Sequence, residues 1–395
     1  MNRRDALKTT AAAIGSLVGG RLLSAQAPSS TGSVSGENLF VNPASGLDSN
    51  GGTRDLPLRT LAEAGRRIRL STGSGPLTVV LAEGVHAVGE TTLLKPERRS
   101  FSKTDRLTIR AEVLPDDPTW HIGRMPTLIH TMPLSATWNG RPDSLGGAVD
   151  GMQVDTSHVS IQGLRVLGLP VIETPQPGLI KRLYSISRLR RDLEDLEISQ
   201  CLFVGNDETA PSHVAIIAYG NAINVHHCIF RHLKISVVYW TPGSTGHAMT
   251  HCIGHDLYGS GVWTAGIAGD FVFRNNVMDS GNYVWTAQGG ASALADAAGR
   301  GGRQAAPPAV RPPAAINYRV LSSYFAANRR LAGSGTGARL EYADIDPSFL
   351  QLTETITTEK PVEFERDSAT RNYLHPVTGS QASQLRAGLF ITRQS

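Results

Sequence analysis

The chain has few aromatic residues, only three cysteines, no long apolar run and, once its first residues are set aside, no excess of either charge. Aromatics make up 6% of the 395 residues, against 41 Gly and 22 Pro. That balance suits many short strands joined by tight turns better than a helical bundle. The cysteines lack any Cys-x-x-Cys spacing, which argues against a thiolate metal centre. No stretch approaches the roughly 20 apolar residues that a membrane-crossing helix needs, so no integral membrane segment is expected. A length of 395 residues could hold several average domains, but a solenoid grows by repetition and escapes that arithmetic.

The first residues account for the basic pI. Asn2-Arg3-Arg4-Asp5-Ala6-Leu7-Lys8 resembles a twin-arginine export signal, with a weakly apolar run from Ala11 to Val18 and a small-residue site at Ala25-Gln26-Ala27. Residues 1–27 are therefore read as a signal peptide, and a periplasmic or extracellular location follows. Without them, 34 of the 38 basic and 33 of the 34 acidic residues remain. A near-neutral mature chain gives no ground for a nucleic-acid partner.

A Ser/Gly-rich linker covers residues 28–37. Asn38-Leu39-Phe40-Val41 then reads as a strand that enters a turn dense in Gly, Asn and Asp. Leu58, Leu61, Ala64, Gly65 and Ile68 recur at helical spacing, which predicts a short amphipathic helix covering the open end of a solenoid.

A repeat becomes legible from Val159 onward. Ile198-Ser-Gln-Cys201-Leu-Phe203 matches Val225-His-His-Cys228-Ile-Phe230, Met249-Thr-His-Cys252-Ile-Gly254, Phe273-Arg-Asn-Asn276-Val-Met278 and Val320-Leu-Ser-Ser323-Tyr-Phe325. A coil of this length cannot bury its apolar residues alone, and stacking supplies the missing partner. Tyr239-Trp240-Thr241, Val262-Trp263-Thr264 and Val284-Trp285-Thr286 form a second series of nearly the same period. The fold expected for residues 38–350 is an all-β, right-handed parallel β-helix, a solenoid with that short N-terminal capping helix. An insertion at 287–315, rich in Ala, Gly, Pro and Arg, interrupts it, read either as a floppy connection or as a flap. Residues 351–395 are expected to be irregular.

At this point the chain resembles the pectate-lyase-like superfamily of secreted right-handed β-helices. The likeness rests on Phe40-Val41-Asn42-Pro43…Gly46-Leu47-Asp48-Ser49-Asn50-Gly51-Gly52-Thr53…Thr60-Leu61-Ala62-Glu63-Ala64 and on Asp346-Pro347-Ser348-Phe349. The resemblance implies a fold and not a reaction, because the superfamily holds lyases, hydrolases, epimerases and non-catalytic proteins. Gly246-His247-Ala248 and Gly254-His255-Asp256 match the Gly-His-Gly motif of polygalacturonase-like hydrolases only in part.

Candidate chemistry follows from the register. Cys201, Cys228 and Cys252 are expected as free, interior turn residues. Trp240, Trp263 and Trp285 would form a solvent-facing ladder that binds sugar rings, with the opposite reading that the indoles are covered. Arg231, His232, His255, Asp256 and Asp279 would gather across three coils. For a β-eliminating lyase, Arg231 would neutralise a uronate carboxylate while His255 or His232 removes the α-proton. Asp207, Asp256 and Asp279 would offer oxygen ligands to Ca²⁺. A glycoside hydrolase would use Asp256 and Asp279 as its carboxylate pair. Asp48, Asn50 and Asp55 fit turn chemistry as well as calcium. The run Lys181-Arg182…Arg188…Arg190-Arg191 is expected to be a solvated loop. The functional expectation is a monomeric, exported lyase acting on an acidic polysaccharide, with a hydrolase or a non-catalytic carbohydrate-binding or cell-surface structural protein as the alternatives.

Overall fold

The computed structural model describes residues 36–133, 136–138, 140–142, 147–168, 182–205, 212–287, 316–335 and 342–392. The insertion at 287–315 lies outside them except for Ala287. The described chain winds into three sheets that run along one axis. Sheet A has ten strands, from Glu37–Val41 to Leu350–Thr353, and sheets B and C have nine each. Every neighbouring pair within sheets A and B is parallel, as are those of sheet C up to its last strand, Tyr342–Asp344, which pairs antiparallel. Each turn of chain adds one strand to each sheet. A parallel crossover of this kind is right-handed in nearly all proteins, and the result is a right-handed parallel β-helix.

The sequence repeat maps onto lateral register. In sheet A one interior ladder runs Leu39, Val79, Ile109, Ile161, Ile198, Val225, Met249, Phe273, Val320 and Leu352. Each rung as far as Val320 buries its side chain against those above and below, about 4.8 Å away, while Leu352 at the end of the stack is exposed. Full burial of such a residue contributes about 1.5–3 kcal/mol, which is why no single coil is stable by itself. In sheet B the interior ladder includes Phe203 stacked on Phe230, with ring centroids 5.2 Å apart.

Sharp corners join the sheets. Between A and B, Gln200, His227, His251, Asn275, Ser322 and Glu354 all adopt left-handed φ. Each costs about 1–2 kcal/mol for a residue with a Cβ, and each turns the chain so that the next side chain points inward. Those next residues are Cys201, Cys228, Cys252, Asn276, Ser323 and Thr355. The three thiols are buried and free. Burial and the two flanking thiols push Cys228 well above the ordinary thiol range. Asn276 extends the ladder with hydrogen bonds: its Oδ1 accepts from Cys252 N (2.8 Å) and its Nδ2 donates to Met249 O (2.8 Å).

The helix Leu61–Leu70 closes the N-terminal end, as its spacing predicts. Thr60 caps it by accepting from Glu63 N, and Leu61, Ala64, Gly65 and Ile68 form its buried face. Gly65 is needed there because a Cβ would stand 3.1 Å from Leu93 O, so the helix rests directly on strand backbone. Asp48 is committed to this joint through Arg59 N, Thr60 N and Thr60 Oγ1. Among the described residues no helix is long and apolar enough to cross a membrane.

The basic run departs from its sequence expectation in its first part only, since Arg190 and Arg191 are exposed and lie outside any strand. Arg182–Arg188 is a fully buried strand of sheet C and not a loop, while Lys181 lies outside the described residues. The Arg188 guanidinium donates to Tyr219 O (2.7 Å) and Asn221 O (2.8 Å), and burial draws it down to about 10. Carbonyls at a corner, which need donors, admit a cation that composition alone assigns to solvent.

Two predictions follow from the interior. Asn276→Ala strips a donor and an acceptor from buried backbone groups and should cost about 3 kcal/mol in urea unfolding. Burial also lowers His130 and His247 to about 4, from an ordinary 6.5. His247 Nδ1 accepts from Ile223 N, so the ring is held neutral. Between pH 6.5 and 4 the unfolded chain takes up protons that the folded chain refuses, and stability falls as pH drops. Each histidine should add a slope of at most about 1.4 kcal/mol per pH unit in that window. Denaturation midpoints that stay flat from pH 6.5 to 4 would refute this.

Candidate functional site

The expected Arg231–His255–Asp279 column exists as lateral neighbours in sheet B, with His232, Asp256 and Ser280 at the left-handed corner beside it. His255 Nδ1 lies 2.8 Å from Asp279 Oδ2, and His232 Nδ1 lies 2.9 Å from Asp256 Oδ2. The column does not face an open cleft. Asp279 is 1% exposed, and its oxygens receive Ser280 Oγ and Val362 N, both at 2.8 Å. Phe364 packs on the His255 ring at 4.8 Å.

The cover is the C-terminal segment. Leu202, Ile229, Ile253 and Val277 form an apolar stripe on the outer face of sheet B. Phe364, Leu374, Ala382, Ala387 and Leu389 bury it, together with Trp120, Ile122 and Met125. Asp279 and His255 thus serve as anchor points for that segment. Asp207 lies outside the described residues, and among those described no three His, Cys, Asp or Glu side chains gather as a metal-ligand set.

The tryptophans also differ from expectation. In sheet C, Trp263 pairs laterally with Val238 and Thr286, whereas Trp285 pairs with Val262. Trp285 thus sits one residue short of Trp263's ladder, and a one-residue slip moves a side chain to the opposite face. It lies in the interior against Phe271, Phe273 and Tyr318, and its Nε1 donates to Thr264 Oγ1 (3.0 Å). Trp263 faces outward but is 3% exposed, packed against Trp240 with centroids 5.2 Å apart. A flat, exposed indole ladder is absent from the described residues.

A different cluster gathers at the leading edge of sheet C, where chain arrives from sheet B. His232 turns the chain, Leu233 enters the core, and Lys234 N then donates to His213 O (2.8 Å) while Ser260 N donates to Lys234 O (2.8 Å). Those bonds fix Lys234 in the sheet with 1% exposure. Burial, and then the charge of Arg182, draw its amine down to about 8. The Arg182 guanidinium lies over Trp138 (5.5 Å) and Tyr184 (5.9 Å). Trp138 Nε1 donates to Asp150 Oδ2 (3.0 Å), and burial raises the Asp150 carboxyl.

The C-terminal side of this edge is built from tyrosines and arginines. Tyr258 Oη accepts from His213 N (3.2 Å). Tyr342 packs on Tyr283 with centroids 5.5 Å apart. Tyr283 Oη donates to Asp344 Oδ1 (2.5 Å), and Arg329 and Arg330 bind the same carboxylate at 2.7 and 2.9 Å, holding it well below the carboxylate range. Gly259 keeps the centre open: a Cβ there would stand 2.3 Å from Lys234 O and 2.8 Å from Tyr342 Oη. An amine near neutrality beside a guanidinium can remove an acidic carbon-bound proton whose neighbouring carboxylate the guanidinium neutralises.

The sequence carried a signal for this cluster that motif matching passes over. Arg182 is the first residue of one strand of sheet C, His213 the second of the next, and Lys234 immediately precedes the one after, so a basic residue recurs at the start of three successive coils.

Asp279→Ala should release Val362 and His255 together and cost about 3 kcal/mol, because buried groups bound to that carboxylate lose their partner. Faster amide hydrogen exchange across residues 360–390, with sheet A protected as before, is the expected signature.

No family model and no curated protein matches the sequence. Among solved structures, the chain is similar to a rhamnogalacturonan lyase at 12% identity and a TM-score of 0.47, covering 89% of this chain and 99% of that one. It is also similar to a lacto-N-biosidase from Eubacterium ramulus, at 11% identity and a TM-score of 0.48 over 75% of this chain. The match spans 55% of the length of that biosidase. A pectin methylesterase from Erwinia chrysanthemi aligns at 11% identity with a TM-score of 0.37, covering 88% of this chain and 95% of that one. Stacked coils in three parallel sheets are the architecture that the sequence resemblance implied.

Proposed function

We propose that the chain is an exported polysaccharide lyase that cleaves a uronate-containing polymer by β-elimination at the leading edge of sheet C. The observation that carries the reading is Lys234, buried beside Arg182 with its amine drawn to about 8. Elimination needs a base for the proton α to the uronate carboxyl group and a positive charge to stabilise the carboxylate as that proton leaves. Lys234 in its neutral form supplies the base. Arg182, held by Trp138 and Tyr184, supplies the charge in a planar fork suited to a carboxylate. Asp279 and the His255 ring are engaged by the C-terminal segment, and this reading assigns the base and the charge to Lys234 and Arg182 of sheet C instead. Export rests on Arg3-Arg4 and Ala25-Gln26-Ala27 in the sequence.

The test is a panel of polyuronates, with ultraviolet absorbance reporting unsaturated ends. Wild-type turnover should rise with pH through about 8, as Lys234 loses its proton. Lys234→Met should lower it by about 100-fold or more, and Arg182→Leu should raise KM for the charged polymer. New reducing ends without absorbance would indicate hydrolysis instead. Binding without either product would indicate a non-catalytic carbohydrate-binding protein.

A further inference from the structure

The strand Tyr342–Asp344 is the last element of sheet C, and it runs back antiparallel along Arg330–Gly335. Its first residue reaches toward earlier coils. The Tyr342 ring packs on Tyr283, one coil back from Arg330–Gly335, and its Oη arrives at the empty β-position of Gly259, a further coil back. The Lys234 side chain meets the same point, its Cγ 3.0 Å from where a Gly259 Cβ would stand. Among the described residues the Tyr342 hydroxyl is buried and has no hydrogen-bond partner. An unpaired buried hydroxyl is destabilising, and a donor left without an acceptor beside the Lys234 side-chain stem is matched to an acceptor that arrives with a ligand.

Resting on the lyase reading above, we infer that Tyr342 is the general acid of the elimination, delivering its phenolic proton to the glycosidic oxygen that leaves. The step balances. Neutral Lys234 takes the proton from the carbon α to the carboxyl group, and that electron pair forms the carbon–carbon double bond. The bond to the glycosidic oxygen breaks, and its pair accepts the proton from Tyr342 Oη. The ammonium on Lys234 and the phenolate on Tyr342 then balance in charge, and proton exchange with water restores both. Burial and the neighbouring phenols Tyr258 and Tyr283 push the Tyr342 hydroxyl above its ordinary range, so it is still protonated where Lys234 turns neutral, at about 8. Lys234 and Tyr342 therefore hold the two required protonation states at once. Gly259 belongs to the same device, because any side chain there would part the two groups.

The discriminating experiment compares two substrates in wild type and Tyr342→Phe. One is the natural polymer, whose sugar leaving group needs a proton. The other is a uronate bearing a nitrophenyl ether at the eliminated position, whose leaving group departs without one. The expected result is turnover of the polymer lowered by about 100-fold or more, the usual share of a general acid, with KM little changed. Turnover of the nitrophenyl ether should stay within about threefold of wild type, which also reports an intact fold. Equal losses on both substrates, or no loss on the polymer, would overturn the role of Tyr342 while leaving the lyase reading in place. Absence of unsaturated product from wild type with either substrate would overturn that reading and the role of Tyr342 together.

Discussion

Lateral register between coils is the constraint on which everything else depends. A strand of four or five residues cannot hold its own shape in water, and its apolar side covers nothing until a like strand sits above it. The ladder from Leu39 to Val320 supplies that cover rung by rung. Because side chains alternate with a period of two, register also decides which residues face out, and therefore where chemistry can occur. The left-handed corners at His227, His251 and Asn275 keep that register by setting where each strand begins. Their backbone cost is offset by the inward placement of Cys228, Cys252 and Asn276.

The two outer faces illustrate opposite uses of one solenoid. Sheet B carries an apolar stripe of Leu202, Ile229, Ile253 and Val277, closed by the chain's own C-terminal segment. A polar pair, His255 and Asp279, lies at the edge of that contact and pins it through Val362. Sheet C carries cations and phenols at its leading edge, where Arg182, His213 and Lys234 enter successive strands. Burial, and then the charge of Arg182, draws the Lys234 amine down to about 8. The same desolvation keeps His130 and His247 neutral deeper in the molecule.

Arg182 shows how one residue can be misjudged from composition. In the sequence it belongs to a basic run followed by acidic residues, the usual mark of a solvated loop. In the structure it opens a seven-residue buried strand, and its charge is met by the ring faces of Trp138 and Tyr184. Of the acidic residues that follow, Asp192 pairs with Arg190 of the run itself, whereas Asp195 pairs with Arg106 and His158 on earlier coils.

The repeat Ile198…Cys201…Phe203 and its four echoes determined the coil, its period, the interior position of the cysteines and the parallel ladders, because spacing along the chain becomes stacking in a solenoid. The helix at Leu61–Leu70 was equally legible, its apolar face and Thr60 cap being local properties. The candidate site was legible only as a zone. That Arg231, His255 and Asp279 share a column follows from spacing, whereas the contact of Asp279 with Val362, 83 positions later, does not. The tryptophan series misled for a related reason: a period one residue short places Trp285 on the inner face, and only the hydrogen-bonded register reveals the slip. Tertiary structure alone decided that Lys234, Gly259 and Tyr342 meet, since their contact needs a terminal strand to fold back across two coils, and no local pattern encodes where a chain returns.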